Sequence, residues 1–164
     1  MGATQEPGTG WDVAYLALAD PGKVVHVTSS RFDEQSAAVS PDGRWIAYMS
    51  NETGRNEVFA CDFPACARKW QVSRSGGGEP AWRGDSRELY FTSPDAANAV
   101  AVSERNGALD FATPERLPFS PDALDLGVGI GSTDGKRFLA ARYDSEAFTE
   151  PVRLIRGWRQ LVEK

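Results

Sequence analysis

The sequence is short of the side chains that carry most enzyme chemistry, and it lacks long apolar runs. It holds one histidine, His26, and two cysteines, Cys61 and Cys66. A tetrahedral metal site would have to borrow carboxylates to reach four ligands, so no metal and no other cofactor is expected. His26 stands in VVHVTSS and reads as a strand residue. No Ser/His/Asp set can be argued around it, and the G-x-S-x-G elbow of serine hydrolases does not occur. No apolar run approaches the roughly 18 residues needed to span a bilayer. The start, MGATQEPGTG, has neither the basic nor the apolar region of a signal peptide, so export or anchoring has to be encoded elsewhere. Basic residues number 18 against 23 acidic, a formal net charge of −5, which argues against nucleic acid or an anionic membrane surface as partner.

Helical periodicity is nearly absent as well. Short apolar segments rich in Val, Ile, Phe, Tyr and Trp alternate with clusters of Gly, Pro, Asp and Asn, the pattern of an all-β chain. Strands are expected at 13–17, 24–28, 36–39, 45–50, 57–63, 70–73, 80–82, 89–92, 99–102, 116–118, 126–130, 138–142 and 152–156. A short helical end is expected at 158–164, too short to hold without packing. With 164 residues, one domain is the expectation.

Three segments share a plan: SPDGRWIAYMS from Ser40, RGDSRELYFTS from Arg83 and STDGKRFLAAR from Ser132. Each is a turn with an aspartate, then a basic residue, then an apolar strand. Asp42, Asp85 and Asp134 lie 43 and 49 residues apart, a period that suits a repeated four-stranded sheet. Their carboxylates can accept from backbone amides just ahead, while Gly43 and Gly135 supply the positive φ that closes a hairpin. Ser86 takes that place in the middle repeat and should cost stability or shift the turn. A signal that recurs once per sheet needs no chemistry to explain it, so these residues are expected to be structural.

The residues 32–91 resemble the TolB-like six-bladed β-propeller found in the C-terminal half of many bacterial serine/threonine kinases. The resemblance rests on SPDGRWIAY, SNETGRNEVF, the Phe63-Pro64 turn, WQVS, the glycines Gly76, Gly77 and Gly78, and PAWRGDSRELYF. It continues more weakly through STDGKRFLAAR and ends near VRLIRGW. Ser86 and the cysteines of CDFPAC depart from the family pattern. The kinase motifs themselves, a Gly-rich loop, V-A-I-K, H-R-D and D-F-G, are missing, so this chain cannot transfer phosphoryl groups.

The resemblance implies a single partial propeller, about half of a six-bladed ring: outer strands of a blade at 1–31, blades at 32–75 and 76–120, and a last blade with the C-terminal tail at 121–164. The implied function is a non-catalytic protein-interaction or ligand-sensing module. The alternative is the regulatory propeller of a serine/threonine kinase or a prolyl-oligopeptidase-like hydrolase whose catalytic domain is not in this chain. Protein or small-molecule ligands are expected, without membrane insertion, in a periplasmic or other extracytoplasmic setting. Unpaired sheet edges at both ends suggest a head-to-tail homodimer, strands 126–130 and 138–142 of one copy being completed by 13–17 and 24–28 of another.

The remaining features have plain readings. Cys61 and Cys66 flank a turn, close enough to bridge in an oxidising compartment and otherwise two free thiols. Most aromatics read as core. Trp82 is the candidate exception, facing a partner at the channel mouth. Arg83-Gly84-Asp85 spells an adhesion tripeptide that a hairpin turn accounts for. Asn51-Glu52-Thr53 is a formal glycosylation acceptor, and Gly76 to Gly78 lack the lysine and helix of a phosphate loop.

Overall fold

The computed structural model describes residues 2–5, 8, 10–118 and 126–142. Among these there are fourteen strands and no helix. The first sheet, in spatial order, is β1 (Gly2–Gln5), β2 (Trp11–Ala17) and β3 (Asp20–His26); the second is β4 (Glu34–Val39), β5 (Trp45–Ser50), β6 (Glu57–Asp62) and β7 (Lys69–Gln71). The third is β8 (Gly78–Trp82), β9 (Glu88–Ser93), β10 (Ala96–Arg105) and β11 (Ala108–Phe111), with β12 (Glu115–Arg116) pairing further along β10. The last is a pair, β13 (Leu126–Gly131) and β14 (Leu139–Arg142). Every pairing is antiparallel, and all but that of β12 with β10 join neighbours along the chain. The first strands of consecutive sheets, β4, β8 and β13, lie beside one another, so the sheets stand side by side around a common inner edge as blades of a partial β-propeller.

Alternation along the strands explains the stacking. On β5, Trp45 and Ala47 point to one face, and Ile46 and Tyr48 to the other. Trp45 and Ala47 join Val58, Ala60 and Val72 against Trp82, Leu89, Phe91 and Val100 of the third sheet. Ile46 and Tyr48 join Phe59 and Cys61 against Val13 and Val27 of the first. On β9, Tyr90 reverses the direction and meets Phe138, with ring centroids 5.0 Å apart. The second and third sheets are therefore apolar on both faces, as an element sandwiched between two neighbours has to be.

The strands differ from expectation in informative ways. β1 was not expected because GATQ carries no apolar alternation; it gives the first sheet a third strand and occupies the edge of β2. β11 was also not expected, although Asn106 and Gly107, with φ of 52° and 74°, meet the backbone demand of a two-residue hairpin turn. β10 extends well beyond 99–102 at both ends, and the strand expected at 116–118 is a two-residue bridge, Glu115–Arg116. The strand at 152–156 and the helical end at 158–164 lie outside the described residues.

Candidate functional site

Among the described residues, five that are not glycine have a left-handed backbone, and two of these lie within strands at the inner edge. Ser36 in β4 and Glu79 in β8 have φ of 52° and 49°, a left-handed conformation that costs a side chain about 1–2 kcal/mol. Each sits at a register shift, between Gln35 and Ala38 in one strand and between Gly78 and Ala81 in the other. The two positions are thus equivalent in successive sheets. Such bulges re-aim a side chain out of the pleat. Here they turn Ser36 and Glu79 towards each other, and Ser36 Oγ donates to Glu79 Oε1 at 2.9 Å across the two sheets. Glu79 is exposed and Ser36 and Gln35 are half-buried, so the inner edge presents a short polar row on a strained but rigid support. Nothing in residue type marks these positions in the sequence; only the backbone reveals them.

The turn aspartates are placed at one end of the sheets. Asp42 Oδ1 accepts from Arg44 N at 3.2 Å and from Ser40 Oγ at 2.5 Å. Asp85 Oδ1 accepts from Arg87 N at 3.0 Å and Arg83 Nε at 2.8 Å. Asp134 Oδ1 accepts from Lys136 N and Arg137 N at 2.9 and 3.0 Å. The Arg83 guanidinium holds the Asp85 carboxyl down to about 2, and the amides of Lys136 and Arg137 hold that of Asp134 well below the usual range. Gly43, Ser86 and Gly135 all take positive φ, at 72°, 61° and 70°. Ser86 therefore keeps the glycine geometry, and its Oγ accepts from Asp42 N of the preceding sheet at 3.2 Å.

Trp82 requires a correction. It does not face a channel mouth: it is 8% exposed, sits in the core between the second and third sheets, and donates its Nε1–H to Ala38 O at 3.1 Å. An indole at the end of an inner strand finds both a wall to pack on and a carbonyl of the neighbouring sheet, and these claim it for the seam.

Cys61 and Cys66 form a disulfide with Cα atoms 5.0 Å apart, around the turn that holds the cis Phe63-Pro64 bond. In the Arg83-Gly84-Asp85 stretch the arginine is bound to Asp85 and to Glu88, which leaves no free tripeptide to present. Asn51 Nδ2 donates to Asp33 Oδ2 at 3.0 Å, so the acceptor amide is engaged within a tight turn. His26 lies at the end of β3, half-buried.

A cleft of about 500 Å³ opens between the segment joining the second and third sheets and the one following β11, floored by Phe91, Ala96 and Asn98 and rimmed by Arg74 and Arg116. Arg116 is tied to Asp95 at 3.1 Å. Beside the cleft lies Glu57, 1% exposed. Burial pushes its carboxyl up, but hydrogen bonds from Ser73, Arg55 and the Gly76 amide outweigh this and hold it below its ordinary value. Among the described residues, no group of three or more His, Cys, Asp or Glu is arranged to hold a metal ion.

No protein-family model matches the chain, and no curated protein matches it. Solved structures do. TolB from Acinetobacter baumannii aligns over 89% of this chain and 50% of its own, with a TM-score of 0.50 and 16% identity. A protein described as TolB from Agrobacterium tumefaciens aligns over 65% of this chain and 42% of its own, with a TM-score of 0.49 and 17% identity. At these identities the likeness concerns the fold alone, and the chain spans about half the length of the structures it matches or less.

Proposed function

We propose that the chain is a non-catalytic binding module whose contact surface is the inner edge of the partial propeller, centred on Ser36 and Glu79. The observation that carries this reading is the repeated left-handed backbone at those two positions. Backbone strain of this kind is retained where the surrounding structure over-determines it, and it gathers at ligand-contacting sites. A row of polar side chains and re-aimed strand backbone suits an extended peptide, which can be met by hydrogen bonds without a deep pocket. The disulfide supports an extracytoplasmic setting, because such bonds persist where the surroundings are oxidising. The resemblance of 32–91 to kinase-linked propellers supports a finer version, in which this module is the sensing part of a larger protein whose catalysis lies elsewhere.

The test uses peptides selected on the intact chain from a random linear library, mapped by amide chemical-shift changes. The expected changes gather at residues 35–36 and 78–79. Glu79→Gly should weaken binding at least tenfold while leaving the fold equally or more stable, since glycine relieves the strain. Peptides that map to the outer strands β3, β7 or β11, or binding that survives Glu79→Gly, would overturn the assignment.

A further inference from the structure

The segment leading from the first sheet into the second encloses two carboxylates to which, among the described residues, no cationic side chain is bonded. Asp12, at the start of β2, is fully buried, and Glu34, the first residue of β4, is 2% exposed. Asp12 Oδ1 accepts from Ser30 N at 3.0 Å. Glu34 Oε1 accepts from Ser30 Oγ at 2.7 Å and from Ser50 Oγ at 3.4 Å. The second oxygen of each group, Asp12 Oδ2 and Glu34 Oε2, is buried and has no hydrogen-bond partner. The two groups are brought together by Ser30, whose amide bonds to Asp12 and whose hydroxyl bonds to Glu34.

The next sheet shows how the same position is managed when it is complete. Val13 N donates to Thr28 Oγ1 at 2.8 Å, and Val58 N donates to Ser73 Oγ at 2.7 Å. Val13 O receives the amides of Val27 and Thr28, as Val58 O receives those of Val72 and Ser73. Asp12 and Glu57, each one residue earlier, therefore occupy equivalent places. At Glu57 both oxygens are bonded: Oε1 by Arg55 Nε at 2.6 Å and Gly76 N at 3.0 Å, and Oε2 by the Ser73 hydroxyl. At Asp12 no arginine stands in for Arg55, and Glu34 adds a second negative charge. Buried carboxylates persist in ionised form when they are paired or bind a metal.

We infer that Asp12 and Glu34 together bind one divalent cation of the calcium class at the junction of the first two sheets. Two carboxylates balance its charge. The donor set is all oxygen, with the Ser30 and Ser50 hydroxyls at hand, which suits a hard cation and not zinc or copper. Calcium tolerates irregular coordination, whereas magnesium demands a near-octahedral shell that keeps several waters. Because Asp12 belongs to the first sheet and Glu34 to the second, the ion would tie the two together. Burial, opposed by the Ser30 hydroxyl, aided by the Asp12 charge and opposed again by the Thr28 and Ser50 hydroxyls, holds the Glu34 carboxyl above its ordinary value.

Thermal unfolding of the whole chain, in calcium chloride and in a chelator, tests this. Calcium should raise the melting temperature by several degrees and magnesium by less. Glu34→Gln should abolish the rise and, in chelator, be at least as stable as the wild type, because it removes an unpaired buried charge; a purely structural carboxylate would show the opposite. Terbium should give sensitised emission that calcium displaces and that Asp12→Asn lacks. Identical melting with calcium and chelator overturns the proposal, and so does a calcium response retained in Glu34→Gln. Stability that rises as the pH falls below neutral, without a calcium response, would mean that the pair shares a proton instead, and that too overturns it.

Discussion

Three residues occupy the same left-handed turn position in three sheets, and only one of them has a Cβ. Gly43 and Gly135 are conformationally free there; Ser86, at φ 61°, is not, and a left-handed side chain costs about 1–2 kcal/mol. Its hydroxyl recovers part of this through the exposed hydrogen bond with Asp42 N, a contribution of about 0.5–1 kcal/mol. Ser86→Gly should therefore stabilise the chain by up to about 1 kcal/mol in urea denaturation. Gly43→Ala should lose about 1 kcal/mol or more, and purely through the backbone, because an added Cβ at Gly43 meets nothing within 4 Å. A destabilised Ser86→Gly would show that the bond between sheets outweighs the strain.

At the scale of the element, the seam between the second and third sheets depends on one side chain that belongs to both. Trp82 fills the space among Trp45, Val58 and Leu89 and also binds the carbonyl of Ala38 in β4. Trp82→Phe removes a ring and the donor, and should cost about 2–3 kcal/mol. Trp82→Leu should cost more, and both losses should appear as a lower urea midpoint with an unchanged slope. The strands bordering this seam were legible because residues such as 45–50 and 89–92 combine β-branched or aromatic side chains with turn signals at both ends. The repeated aspartates likewise disclosed the hairpins. Other features were hidden for physical reasons. β1 is held by backbone hydrogen bonds that any residues can make, and β4 starts at a buried glutamate, Glu34, which in a sequence reads as surface. Trp82 looked like a ligand contact because an inner strand end borders the axis, but the bond to Ala38 depends on a strand 44 residues away. The inner-edge bulges at Ser36 and Glu79 and the unpaired oxygens at Asp12 and Glu34 arise from neighbouring sheets, which no local pattern encodes.

At the scale of the whole molecule, the first sheet has one covered face and one bare one. Val13 and Tyr15 pack towards the second sheet, so Leu16, one residue on, points the other way. Leu16 pairs across the strands with Val24; they are 56% and 47% exposed, and Leu18 at the adjoining turn is 98% exposed. In the second sheet, the residues on the corresponding face, Phe59 and Cys61, are buried against the first. The register of the fold thus sets a place for another sheet on the bare face. A second copy of this chain can supply that sheet. The copies cannot share strands along the edge of β2, as pairing of 13–17 with 138–142 would require, because β1 already occupies it. They have to meet face on face. In sedimentation equilibrium at micromolar concentration the expected species has twice the mass of one chain. Leu16→Lys combined with Leu18→Lys should return it to a monomer with an unchanged circular dichroism spectrum, since neither side chain contributes to the core. A wild type that remains monomeric across that range would rule out closure by a second copy.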